Sequence, residues 1–230
     1  MTSAASKPSP TAPNDCQAHL LCRQVEQETT DASCSLGFAA GLPARAIVRE
    51  QKWTYNAFGQ ILTHDGPRTD VADITTYTYY SDTVADHTLG DLKSVTNAAG
   101  KVVNYTQYNK HGQVLSMTDA NGVVTAYTYD LRQRLKSVAV GGQLTQYDYD
   151  LAGQLKKVTQ PDGSTVGYDY DDAHRLTAVY DNLGNRIDYV LDNAGNRKEE
   201  KVTDPGGMLK RKLARVIDAL GRVQQTTSGE

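Results

Sequence analysis

Beyond Cys34 the chain has no cysteine, and apolar aromatics are scarce: 14 Tyr stand against 2 Phe and 1 Trp. A layer built on Tyr must leave each hydroxyl at a partner or at water, so a thin, wet-edged core is expected. The three cysteines, Cys16, Cys22 and Cys34, are an odd number and give no disulfide framework, so they read as free thiols. With His19 they form a C-x2-H-x2-C-x11-C pattern of zinc-ligating types, the one metal alternative the sequence offers. Structural zinc sites pair ligands two to four residues apart on each side, and Cys34 has no such neighbour, so no metal and no cofactor are expected. No apolar run approaches a membrane span. The first fifteen residues are rich in Ser, Ala, Pro and Thr and lack the apolar stretch of a signal peptide. A net charge of −3 and a pI near 6.0 argue against a nucleic-acid partner, which needs a concentrated basic face. The one basic cluster, Lys210, Arg211, Lys212 and Arg215, reads as a solvated strand or turn.

What is present is repetition. The clearest copies are YTYDLRQRL at 127–135, YDYDLAGQL at 147–155 and YDYDDAHRL at 168–176. Their tyrosine pairs are Tyr127 and Tyr129, Tyr147 and Tyr149, and Tyr168 and Tyr170. Tyr108 extends the series backwards, and Leu191 extends it forwards where the second Tyr has been lost; the steps are 21, 20, 21 and 21 residues. Degraded copies flank this middle, from Trp53 at one end to Val216–Arg222 at the other, giving eight units. The expected organisation is a poorly ordered region at 1–40, with a short helix at 16–28, followed by a repeat domain at 41–230. Within that domain the regular repeats run over 105–197, and degraded ones over 53–104 and 198–230.

Each unit holds two turn signals. One follows the tyrosines, as in Asp150–Gly153, Asp192–Gly195 and Asp218–Gly221; the other comes about ten residues later, as in Asp119–Gly122 and Asp181–Gly184. Gly supplies the positive φ of a tight turn, and Asp bonds the turn backbone through its side chain. The segments between turns have strand length, so the fold class is all-β, a series of antiparallel hairpins. Thr125, Tyr127 and Tyr129 share one face by the period of two. Leu155 and Val158 are three apart, as are Leu176 and Val179, which requires a bulge or two partly covered faces. About 16 strands at ~4.8 Å each would span roughly 77 Å, which should curve into a wall around a space.

These repeats resemble the YD repeats of Rhs proteins, teneurins and the C components of insecticidal toxin complexes. The resemblance implies a curved spiral sheet, part of an Rhs-type shell wall. It also implies a structural role in enclosing or presenting a secreted toxin, with other YD repeats or an enclosed toxin domain as partners. Export to the cell surface or medium, in bacterial competition or toxin delivery, is implied with it. Family shells use longer arrays, so the chain is expected to be a fragment or a short orphan of one. The self-cleaving aspartates that follow the repeats in that family have no counterpart in these residues.

Other chemistries are weaker. The Asp-x-Asp pairs around Asp148, Asp150, Asp169, Asp171 and Asp172 suit hard cations, yet turn capping accounts for them without a metal. His64, His87, His111 and His174 are possible bases, but His111 and His174 occupy turn positions fixed by the repeat register. No catalytic residue is assigned. Exposed tyrosines beside Asp could hold glycans, the alternative reading as a carbohydrate-binding or adhesion module. Against it, Tyr127, Tyr147 and Tyr168 recur in one register and are expected to stack as cross-strand neighbours.

Overall fold

The computed structural model describes residues 20–27, 48–68 and 70–229. Among them are 17 β-strands and no helix. The chain divides into two compact units at Val124 and Thr125, within the regular repeats. The first holds β1 (Arg23–Gln27), β2 (Val48–Tyr55), β3 (Ile61–Asp65), β4 (Ile74–Tyr79), β5 (Leu92–Thr96), β6 (Val102–Tyr108) and β7 (Val114–Thr118). The second holds β8 (Val124–Tyr129), β9 (Leu135–Val140), β10 (Gln143–Tyr149), β11 (Leu155–Thr159), β12 (Thr165–Tyr170) and β13 (Leu176–Asp181). It continues through β14 (Arg186–Leu191), β15 (Arg197–Thr203), β16 (Leu209–Ile217) and β17 (Val223–Gly229). Within each unit every strand pairs antiparallel with the next in sequence.

Turn chemistry explains why the chain breaks into strands where it does. In the turn after β10 the Gly153 amide donates to the Asp150 carbonyl at 3.1 Å, and the Asp150 amide to the Gln154 carbonyl at 2.9 Å. That is a type I turn closed by a left-handed residue, Gly153 with φ 96°. Gln133 and His174 hold the same position at φ 65° and 63°, where a side chain is strained.

The two spacings of three resolve as a bulge. Tyr147 pairs with Val158 and Asp148 with Lys157, but Tyr149 pairs with Leu155, leaving Lys156 as the extra residue. The same shift leaves Lys136 extra opposite β8, Thr177 opposite β12 and Lys198 opposite β14. The bulge returns Leu155 and Val158 to the face of Tyr147 and Tyr149. The opposite face is also covered locally, since Ala178 is fully buried and the Tyr180 ring lies over Gly167.

The core is thin. Tyr108, Val158 and Ala178 are the buried apolar residues among those described, and no large side chain there is completely enclosed.

Three expectations change. The described part of the expected helix at 16–28 is strand β1, which pairs with β2 from Arg23–Lys52 to Gln27–Val48. Helix propensity is a weak local preference, and here it yields to the sheet hydrogen bonds that β2 offers and to the Arg23–Glu50 ion pair. The rest of the expected helix, most of region 1–40 and its boundary at 40/41 lie outside the described residues. Second, Cys22 is not a free thiol: it is held in a disulfide whose partner lies outside the described residues. Third, Tyr127, Tyr147 and Tyr168 do not oppose one another. Their cross-strand partners are Val138, Val158 and Val179, because the tyrosines sit on every second strand.

Candidate functional site: the tyrosine seam and the acidic groove

The recurring polar feature is a seam of tyrosine hydroxyls. The second Tyr of a repeat donates from its hydroxyl to a backbone carbonyl of the preceding hairpin. Tyr149 reaches Leu135 at 2.8 Å and Tyr170 reaches Leu155 at 2.9 Å. In the first unit Tyr79 reaches Ile61 at 2.7 Å, Tyr108 reaches Leu92 at 2.6 Å, and Tyr55 reaches Leu21 at 2.6 Å. In β3, β5, β9 and β11 the acceptor is the residue before a register shift. The bulge thus sets the carbonyl where a hydroxyl on the next strand can take it. Burial pushes the phenols of Tyr55, Tyr79, Tyr108 and Tyr170 above their ordinary range, as a half-buried neutral donor requires.

The turns form a second row. Asp130 accepts from the amides of Arg132 and Arg134 at 2.8 and 3.0 Å, Asp171 from Ala173 and Arg175, and Asp192 from Ala194 and Asn196. Asn56 and Asn109 cap their turns the same way. The Arg175 side chain holds the Asp171 carboxyl below the usual carboxylate range, and the Asn196 amide does so for Asp192. Neighbouring turns are then joined. Gln154 donates to the His174 carbonyl at 2.8 Å, Arg175 to the Asp192 carbonyl at 2.9 Å, and Arg132 to the Leu151 carbonyl at 3.0 Å.

Between the turns of Asp150–Gln154 and Asp171–Arg175 lies an open groove of about 500 Å³. It brings together Asp150, Tyr168, Tyr170, Asp171 and His174, which the sequence singled out, and adds Lys156. Three of its four carboxylates are committed: Asp150 caps Gln154, Asp171 pairs with Arg175, and Asp169 pairs with Arg186 at 2.9 Å. Among the described residues no three His, Cys, Asp or Glu side chains are grouped to hold a metal. Cys16, His19 and Cys34 of the zinc alternative lie outside the described residues. Cys22, in a disulfide, has no thiolate to offer a metal.

The histidines serve packing and turns. His64 stacks on Trp53 with ring centres 4.9 Å apart and bonds to Gln51. His87, in the insertion after β4, stacks on Tyr80 at 3.5 Å and bonds to Asp82. These two do not sit in repeat turns, unlike His174, whose ring bonds to Gln154 at 3.0 Å.

The hydroxyl-to-carbonyl link is not foreseeable from residue types. A signal for the bulge is present, in the lysine that recurs after the apolar residue at Lys93, Lys136 and Lys156.

Comparison with known proteins agrees with this geometry. No curated protein sequence matches the chain significantly. The crystal structure of TcdB2-TccC3-Cdc42 is similar with a TM-score of 0.64 and 17% identity, over 88% of this chain and 12% of that one. TcdB2-TccC3 without its hypervariable C-terminal region gives 0.67 and 17%, over 88% and 12%. The Tc holotoxin pore of Photorhabdus luminescens gives 0.62 and 16%, over 90% and 13%. The chain therefore spans about an eighth of the length of those proteins, and the likeness establishes its fold. The family model for the RHS Repeat matches residues 108–142, 132–165, 149–186 and 170–207. Those matches together span 108–207, from the end of β6 through the tyrosine hairpins to β15, and that stretch of the chain is built of RHS, or YD, repeats.

Proposed function

We propose that the chain is a non-enzymatic segment of a YD-repeat shell wall, which encloses or presents a secreted toxin domain outside the cell or at its surface. The observation that carries this is the hydroxyl seam. Where the second Tyr is kept, a hairpin is tied to the one before it by a hydroxyl on a backbone carbonyl, so those ties hold whatever other side chains the faces display. A scaffold needs that independence; a catalyst needs a particular constellation. The partners are further YD repeats and an enclosed domain, and the setting is bacterial competition or toxin delivery. Likeness to proteins of Tc toxin assemblies supports this reading.

The test is protection of cargo. The complete gene product is treated with protease, and survival of the segments flanking this array is followed by mass spectrometry. Protected flanks that become cleavable when Tyr149 and Tyr170 are both changed to Phe are the expected result. Flanks cut equally fast in both proteins would sink the shell reading. Saturable glycan binding that is lost on Tyr168→Ala would instead establish the carbohydrate-binding alternative.

A further inference from the structure

Asparagine serves the turns of this protein in several ways, and three exposed copies, Asn104, Asn121 and Asn193, do not. Asn56, Asn97 and Asn109 accept backbone amides through their side-chain oxygens. Asn185 and Asn196 donate to Asp181 and Asp192, and Asn182 accepts from the Thr165 amide. Asn121 sits in a turn: its backbone amide bonds to Asp119 at 2.8 Å, while its exposed side chain is left in solvent. It is also the single asparagine in the sequence followed by glycine. Gly122 is exposed, has φ +83°, and nothing lies within 4 Å of where a Cβ would sit.

We propose that Asn121 is a spontaneous modification site, deamidating through a cyclic imide formed with Gly122. The Gly122 backbone nitrogen attacks Cγ of Asn121, forming a new bond between nitrogen and carbon. The Cγ–Nδ2 bond of Asn121 breaks, and ammonia leaves with the proton that the attacking nitrogen gives up. Water then opens the five-membered imide at either carbonyl, giving aspartate or the β-linked isoaspartate. One water is consumed and one ammonia released, so no enzyme or oxidant is required. Glycine matters because it has no Cβ to obstruct the attack and its backbone reaches many conformations.

The fold governs the rate. In the closed turn the attacking nitrogen is occupied, since the Gly122 amide donates to the Asp119 carbonyl at 3.0 Å. Reaction therefore proceeds from the locally opened turn. The isoaspartate product lengthens the backbone by one carbon between residues 121 and 122. It also sets a second carboxylate beside Asp119, whose own carboxylate accepts from the Val123 amide at 2.9 Å. The closed turn cannot re-form around that linkage.

The test incubates the full-length protein in mildly alkaline heavy-oxygen water, followed by peptide mapping. The expected result is conversion at residue 121 with uptake of one heavy oxygen and separation into two products. Its initial rate should exceed those at Asn104 and Asn193 several-fold, because these are followed by Tyr and Ala. Asn121→Gln should abolish the change in that peptide. An unchanged residue 121, conversion no faster than at Asn104 or Asn193, or conversion without heavy oxygen would each overturn the proposal.

Discussion

Strands β10 to β13 and strands β14 to β17 belong to one unit and repeat one hairpin, yet they are held by different forces. In the former, Tyr149 and Tyr170 bond their hydroxyls to carbonyls of the preceding hairpin. In the latter the same position is Leu191 and then Ile217, and charge replaces the hydroxyl. Glu199 bridges Lys201 and Lys212 at 2.8 Å each, Lys210 pairs with Asp204 at 3.0 Å, and Arg197 lies 3.9 Å over the Tyr189 ring. A half-buried neutral hydrogen bond is barely screened by salt, whereas exposed ion pairs are weak and screened. One backbone geometry thus tolerates two kinds of glue with opposite responses to the medium.

The largest effect should come from packing, which lies beneath both. Gly167→Ala would place a Cβ 2.3 Å from the Tyr180 ring. Overpacking of this kind costs about 1–3 kcal/mol, and a thermal melt should show the loss. Adding Tyr180→Ala should relieve the clash, so that the double variant costs less than the sum of the two single changes.

Next in size is the seam itself. Tyr170→Phe removes the bond to the Leu155 carbonyl and should cost about 0.5–1.5 kcal/mol in urea unfolding, equally at low and high salt. Leu191→Tyr restores the missing hydroxyl in β14 and should shift the midpoint upwards.

Glu199→Gln should act smaller and differently. Its side-chain bonds with Lys201 and Lys212 hold the carboxyl below its ordinary value. A depressed folded-state value means that the contribution is whole above the unfolded pKa of 4.5 and disappears as pH falls through the folded value. Melts of the wild type and E199Q should therefore differ at neutral pH and low salt, and converge in high salt or acid.

The smallest effect is alkaline. Burial raises the Tyr170 phenol, so its contribution is complete below 10.0 and is lost as pH climbs through the folded value. Tyr170→Phe should lessen the alkaline loss of stability in a pH titration of the melt.

The hairpins are legible in the sequence because Gly and Asp mark turns locally, and period-two alternation marks strands. The bulge is legible as a conflict, since Leu155 and Val158 are three apart and either a bulge or two covered faces would explain that, and the recurring lysine marks its place. The seam is not legible, because Tyr170 and the Leu155 carbonyl meet across the paired strands β12 and β11, and a backbone acceptor leaves no trace in residue type. Strand β1 reads as helix in the sequence because CQAHLLCRQVEQE suits either state, and a distant strand, β2, decides. The Cys22 disulfide stays hidden because an odd cysteine count conceals which two pair.

The most direct test of the two kinds of glue is amide hydrogen exchange on the full-length protein and on Tyr170→Phe, each at low and high salt. The substitution should speed exchange in β11 to β13 at both salt levels. Salt alone should speed exchange in β15 to β17 of both proteins. Uniform acceleration along the whole unit, or a Tyr170→Phe effect that vanishes in high salt, would contradict it.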